Sequence, residues 1–295
     1  MERTNPRDQL QVKELSFPWY GWIGLGLIAV FWTLNWTLEG LRTHWGFFPL
    51  WLGYCLTIDA LVYLRKGTSL LTRSWRRYIG LFLISAPVWW LFEVVNWRLQ
   101  NWLYLGSEQF TPFAFWFWAT LSFSTVIPAV FGTAEWVASF KFMKRLGKKG
   151  PVVRPDRPTT LVFFFLGLVM FVLMWIWPRL FFPFIWLSLY FILEPINVWL
   201  GFRTAATYTA QGDWRPILAL WIGVLCVAFF WEMWNYFAFP KWIYQIPYAN
   251  ALHIFEMPLL GYGGYLPFAL ELFAMYHFII GVFRQKDSGY VRIEP

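Results

Sequence analysis

The chain is a succession of long apolar runs separated by short polar, often basic, interruptions. An α-helix crossing a bilayer needs about 20 mainly apolar residues. Eight stretches meet that need: 19–38, 47–64, 78–97, 113–140, 160–177, 181–200, 216–237 and 258–283. They predict an all-α integral membrane protein of about eight transmembrane helices. The segment 144–158 is basic and broken by Gly147, Gly150, Pro151, Pro155 and Pro158, which reads as a linker and divides the chain almost in half. The expected organisation is two tandem four-helix units, residues 1–150 with a polar N-terminal tail and residues 151–295.

Charge placement orients these spans. With the N-terminus cytoplasmic, all of the 24 Lys and Arg residues except Arg42, Arg98, Arg179 and Lys241 fall on the cytoplasmic side, as the positive-inside rule requires. Both termini are then cytoplasmic. Composition agrees: 59% of residues are hydrophobic and only 14% charged, against roughly 25% charged in soluble domains. The net charge of +8 resides in loops rather than in one binding stripe, so no nucleic-acid partner is implied. Cys55 and Cys226 lie inside apolar runs and read as small buried hydrophobes. His44, His253 and His277 form no opposed intramembrane pair for a haem, and no metal or nucleotide motif is present, so no cofactor is indicated.

The two halves share an ordered set of polar and aromatic positions. Glu93, Asn96, Trp102 and Tyr104 recur as Glu232, Asn235, Trp242 and Tyr244; Trp75-Arg76 recurs as Trp214-Arg215, and Pro128 matches Pro267. Matched Glu, Asn and Pro carry more weight than matched Leu or Phe. An even number of helices per unit implies a pseudo-twofold axis along the membrane normal, with a binding site at the interface between repeats.

Six acids fall within the expected spans: Asp59, Glu93, Glu135, Glu194, Glu232 and Glu271. They match across the halves as Asp59 with Glu194, Glu93 with Glu232, and, one turn out of register, Glu135 with Glu271. No Lys or Arg lies deep in a span to neutralise them. A carboxylate at the bilayer centre costs at least about 2.5–3.5 kcal/mol, so such groups face the bundle interior and mark function. Hydrogen-bonding between helices is the plain alternative, with Asn96, Asn197 and Asn235 close by. Spacing of three puts each Glu and Asn of Glu93-x-x-Asn96 and Glu232-x-x-Asn235 on one helix face. Aromatic residues crowd the same places, including Trp90 and Trp97 in one half and Trp231 and Trp234 in the other. Many Trp residues belong to an interfacial belt, yet an acid among aromatic faces also suits protonation of an alkene and stabilisation of the cation. Before the last span, Pro258-Leu259-Leu260-Gly261-Tyr262-Gly263-Gly264 predicts a broken start to that helix, and Pro267 predicts a kink.

From Trp231-Glu232-Met233-Trp234-Asn235 through Trp242-Ile243-Tyr244, and again at Phe255-Glu256-Met257-Pro258 leading to a helix with Glu271, the chain resembles the small membrane lycopene cyclase domains of bacteria and archaea. The family's Pro-x-Glu-Glu type motif is here Pro258-Leu259-Leu260-Gly261, without the paired acids. The resemblance implies a bacterial or archaeal cytoplasmic membrane and a long apolar isoprenoid or carotenoid bound between repeats. It also implies redox-neutral cyclisation by acid catalysis. On that reading Glu93, Glu232 and Glu256 are candidate acids, and Asn96, Asn235, Trp90, Trp97, Trp231, Trp234, Tyr244 and Glu271 are candidate ligand-binding residues. The alternative from another class is a non-catalytic membrane subunit, with a protein partner or as a homo-oligomer, or a proton-coupled transporter whose acids relay protons.

Overall fold

The computed structural model describes residues 15–40, 43–249, 251–283 and 289–295. About 72% of the chain is helical. In order the helices are α1 (Trp19–Thr37), α2 (Thr43–Lys66), the single turn α3 (Leu70–Arg73), α4 (Trp75–Leu99), α5 (Pro112–Phe123), α6 (Val126–Ala138), and the short α7 (Lys141–Leu146). The second half supplies α8 (Arg157–Ile176), the short α9 (Pro178–Phe181), α10 (Ser188–Leu200), the turn α11 (Ala206–Thr209), α12 (Arg215–Tyr236) and α13 (Tyr265–Val282).

Among the described residues, six helical segments are long and apolar enough to cross a membrane, or seven if the bent segment Pro178–Leu200 crosses as one. Among the described helices α1 is also 19 residues long, but four Trp, one Tyr and Asn35 lower its hydropathy. Successive long helices run in opposite directions, so the loops segregate to two ends. Arg65, Arg73, Arg77, Lys141, Arg157, Arg203 and Arg215 gather at one end, hereafter the basic end, while Arg98, Arg179 and Lys241 lie at the other.

Local chemistry explains where the helices begin and end. Ser69 and Thr72 form a reciprocal capping box on α3, and Ser74 caps α4 by accepting from Arg77 N. Asp156 accepts from Thr159 N at 2.9 Å to start α8, with Pro158 in the first turn where no amide hydrogen is needed. Gly201, in the left-handed region at φ 71°, closes α10.

Three expectations are corrected. The segment 113–140 holds as one candidate span, Pro112–Ala138, but its helix is interrupted: Ser124 and Thr125 turn between α5 and α6, where their hydroxyls bond back to Leu121 O and Ser122 O. The run 181–200 is interrupted by a 3-10 stretch over Phe182–Trp186 and bends by 41° before α10. Pro267 does not kink its helix, because it is the third residue of α13, inside the first turn where amide groups lack intrahelical partners. The same is true of Pro128 in α6. A 3-10 stretch, Leu259–Gly264, precedes α13, as the glycines lead one to expect.

Two small antiparallel ribbons complete the fold. Strand β1 (Trp102–Leu105) pairs with β2 (Lys241–Tyr244), and β3 (His253–Ile254) with β4 (Met257–Pro258). In the first ribbon Trp102 lies opposite Tyr244, Leu103 opposite Ile243 and Tyr104 opposite Trp242. The corresponding Trp-x-Tyr segments of the two halves thus pair with each other, in a register symmetric about Leu103 and Ile243.

Packing follows a matching pattern in the two halves: α1 on α2 and α8 on α10, α2 on α6 and α10 on α13, α4 on α6 and α12 on α13. The halves meet chiefly along α6 and α12. There Gly223 permits close approach, since an added Cβ would lie 2.8 Å from Ala134 N. One apolar core spans both halves, with Trp51, Phe92, Phe131, Trp234 and Phe273 fully enclosed.

Candidate functional site

The last turns of α4 and α12 carry equivalent polar constructions. On α4, Asn96 Nδ2 donates to Trp102 O at 2.9 Å while its Oδ1 accepts from Asn101 N at 2.9 Å. On α12, Asn235 Nδ2 donates to Trp242 O at 2.8 Å and its Oδ1 accepts from Trp242 N at 3.0 Å. Each amide therefore ties a strand of the ribbon to the helix before it. The hydrogen-bonding capacity assigned by sequence to a ligand is spent on backbone.

One turn earlier lie the acids. Glu93 Oε1 accepts from Trp89 Nε1 at 2.9 Å, from Trp102 Nε1 at 3.0 Å and from the Tyr104 hydroxyl. Glu232 is fully buried, and its Oε1 accepts from Tyr244 at 2.7 Å and Tyr265 at 2.6 Å. Its Oε2 is buried with no hydrogen-bond partner among the described residues. Trp242 Nε1 donates to the Tyr244 oxygen at 2.8 Å, extending the chain of bonds. Burial first, and the adjacent Glu charge second, keep the Tyr104 and Tyr244 hydroxyls protonated well above the ordinary tyrosine range.

Between these two acids lies an apolar cavity of about 440 Å³. Its wall comes from both halves: Trp89 of α4, Trp118 of α5, Trp186, Trp231 of α12, and Phe268 of α13, with Tyr104 and Tyr244 from the ribbon and Tyr265 at the start of α13. Trp102 and Trp186 stack at 5.9 Å and 23°, and Trp231 and Tyr265 at 6.1 Å and 26°. Neither Glu93 nor Glu232 lines the cavity; the tyrosines that bond to them do. Lys241 also borders it and is paired with Glu256 and with Tyr236 O at 3.2 Å.

The other sequence-selected residues are dispersed. Trp231, Asn235 and Tyr244 border the cavity. Trp90 stacks on Trp116 at 4.2 Å and bonds to Thr120, on the outer side of α4, and Trp97 is 60% exposed. Trp234 is enclosed among Trp51, Tyr54 and Phe230 in the core. Glu256 sits in the turn between β3 and β4, where its partner is Lys241 rather than Glu232. Glu271 accepts from Leu189 N at 3.2 Å, satisfying an amide at the broken start of α10.

The remaining buried acids also have local partners. Asp59 accepts from Leu71 N at 2.9 Å and Glu194 from Ala206 N at 2.7 Å, so each reaches twelve residues forward to hold the turn after its own helix. Glu135 is corrected from an unneutralised acid: it pairs with Arg73, because the last turn of α6 brings it to the basic end within reach of that loop cation. Sequence reasoning did not select Trp89, Tyr104, Trp186 or Tyr265 for the site. Tyr104 could have been found from its match to Tyr244.

No protein-family model matches the chain, and no curated protein or solved structure matches it. Its apolar helices and segregated charge define a multi-pass membrane-protein class. Its distinguishing feature within that class is an aromatic cavity shared by two halves, with a buried acid behind each side.

Proposed function

We propose that the protein spans a bacterial or archaeal cytoplasmic membrane eight times as two tandem repeats, and binds a long apolar isoprenoid in the cavity between them. Pro178–Leu200 and α1 supply the two further spans. The repeat is supported by the symmetric register of β1 and β2, the paired Asn clamps, and the matched reach of Asp59 and Glu194. At about 440 Å³ the cavity falls in the size range of small-molecule pockets. It takes one end of the isoprenoid and leaves the rest to run toward lipid.

The chemistry is redox-neutral cyclisation by acid catalysis. The observation that carries it is a fully buried carboxyl, Glu232, separated from an aromatic cavity only by the hydroxyls of Tyr244 and Tyr265. With Glu232 protonated, one of the two hydroxyls turns its O–H from the carboxyl toward the cavity, and it passes its proton to the terminal alkene as it takes one from Glu232. The alkene π pair forms the new C–H bond, and the cation left on the neighbouring carbon is attacked by a second alkene, closing the ring. Loss of a ring proton to the Glu232 carboxylate, through the same hydroxyl, restores both the double bond and the acid. Faces of Trp231, Trp186 and Phe268 stabilise the cation through their quadrupoles.

The local ties of Asp59, Glu135, Glu194 and Glu271 favour this reading over a proton-coupled carrier, which needs acids joined by a water path. The test supplies an acyclic polyene isoprenoid to membranes containing wild type or Glu232→Gln, and follows cyclic product. Wild type yields it and the amide variant, folded in equal amount, does not. Equal product from both removes Glu232 from the reaction.

A further inference from the structure

The last seven residues are joined to the basic end by a density of specific contacts unlike that of an ordinary polar tail. Tyr290, Val291 and Ile293 are buried, at 4%, 0% and 1% exposure. The Tyr290 hydroxyl donates to Leu70 O at 2.9 Å, and its ring lies between the guanidinium groups of Arg73 and Arg77, 5.5 and 5.6 Å from the centroid. Arg203 Nη1 donates to Val291 O at 2.7 Å, and Arg203 Nη2 pairs with the Glu294 carboxylate at 2.7 Å, which also accepts from the Tyr208 hydroxyl. Arg292 N donates to Glu135 Oε1 at 2.7 Å, and Lys66 Nζ to Arg292 O at 3.3 Å.

These partners come from both halves: Lys66, Arg73 and Glu135 from the first, Arg203 and Tyr208 from the second. Two of them are costly to bury alone. Glu135 and Arg73 are 0% and 8% exposed in their side chains, and the Arg292 amide supplies a second donor to the carboxylate. The backbone of the segment is recognised through its amide and carbonyl groups, and its side chains through one aromatic pocket and one carboxylate receptor. This is the chemistry of a peptide-binding site, with an extended ligand read by main-chain bonds and alternate side chains.

We infer that the basic end is a built receptor for a short aromatic and acidic peptide, occupied by this chain's own C-terminal residues 289–295, and that its occupancy fastens the two halves together. The inference stands on these contacts and is independent of what the aromatic cavity binds. Its consequence is that removing the peptide loosens the basic end, where α2 and α6 finish and α12 begins, and that supplying it separately restores the contact.

Two measurements test it. In the full chain, Val291→Cys keeps a small side chain at the most buried position, and its maleimide labelling in detergent is followed by mass spectrometry of the C-terminal fragment. Labelling slower than in the denaturant-unfolded chain by about tenfold or more, and acceleration on adding Tyr290→Ala or Glu294→Ala, are expected. Labelling as fast as in the unfolded chain overturns the inference. The second measurement ends the chain at Ser288 and adds a fluorescent synthetic peptide of residues 289–295. A lowered Tm, raised again by saturable peptide binding that the Tyr290→Ala peptide does not reproduce, is expected. A shortened chain as stable as the whole, or one that remains folded and binds neither peptide, contradicts it. Should the shortened chain not fold, the labelling rates decide.

Discussion

Glu93 and Glu232 stand at the same place in the same motif, each followed by an Asn that clamps a Trp-x-Tyr strand, yet their surroundings differ. Glu93 Oε1 collects two indole donors and one hydroxyl, from α4 and β1. Glu232 Oε1 accepts from two hydroxyls, one of them from Tyr265, 33 residues away on another helix, with a single indole, Trp242, bonded to the Tyr244 oxygen beside it, and its second oxygen has no hydrogen bond among the described residues. Indole N–H groups can donate but cannot relay a proton, whereas a hydroxyl both donates and accepts. The comparison teaches that two matching helix ends can hold their acids in different surroundings, and on the proposed reading those surroundings decide which acid reacts. On this account Glu232 is the reacting acid, and Glu93 holds the cavity wall in place.

The largest expected effect separates the two acids. Glu232→Gln should lower cyclic product by about 100-fold or more, the scale of lost general-acid catalysis, whereas Glu93→Gln should retain turnover within a few-fold by product chromatography. Equal losses in both would erase the distinction. Next, Tyr265→Phe removes a cavity-facing hydroxyl from Glu232. A lost hydrogen bond to such a group, roughly 1.5–3 kcal/mol, predicts about tenfold or more in rate. Tyr104→Phe, at the Glu93 side, should change the rate little while lowering Tm.

The clamps should respond alike. Asn96→Ala and Asn235→Ala each strand buried strand amides and carbonyls, for about 1–3 kcal/mol of stability apiece. Differential scanning fluorimetry in detergent reads this, and a large inequality would deny that the two ribbon anchors are equivalent. The smallest effect lies far from both acids, where Arg215 hydrogen-bonds Asp213 at the basic end and holds its carboxyl below the usual range. A depressed pKa stabilises the fold above the unfolded value, about 3.9, and that contribution is lost as pH falls through the folded value. Asp213→Asn should therefore cost under about 1 kcal/mol near neutrality. The cost should stay constant from pH 8 to 6 and vanish in acid.

Much of the scaffold was legible in the chain. Apolar length located every long helix, because hydropathy over a bilayer thickness is a signal that few other structures imitate. The breaks at Ser124–Thr125 and Leu187 were not legible: hydroxyl side chains and prolines are tolerated within membrane helices, so their presence does not announce a turn. Trp102–Leu105 and Lys241–Tyr244 gave no strand signal, since four residues between helices acquire that conformation only by pairing with each other. Matched Glu and Asn positions pointed to the ends of α4 and α12 that adjoin the aromatic cavity. Tyr265 did not stand out, because its bond to Glu232 depends on how α13 packs, which spacing along the chain does not encode. Nor did residues 289–295, a short mix of apolar and charged side chains too brief to show a period, reveal that Tyr290, Val291 and Ile293 are buried.

The central claim is that the cavity between the halves holds an apolar isoprenoid, and the most direct measurement is mass spectrometry of small molecules extracted from purified protein, wild type beside Ala119→Phe. Ala119 lines the cavity from α5, so the added ring occupies ligand space. The account predicts an isoprenoid in near-stoichiometric amount with wild type and its loss from the filled variant at equal fold and monodispersity. Wild-type protein free of any isoprenoid, or the same quantity retained by Ala119→Phe, would contradict it.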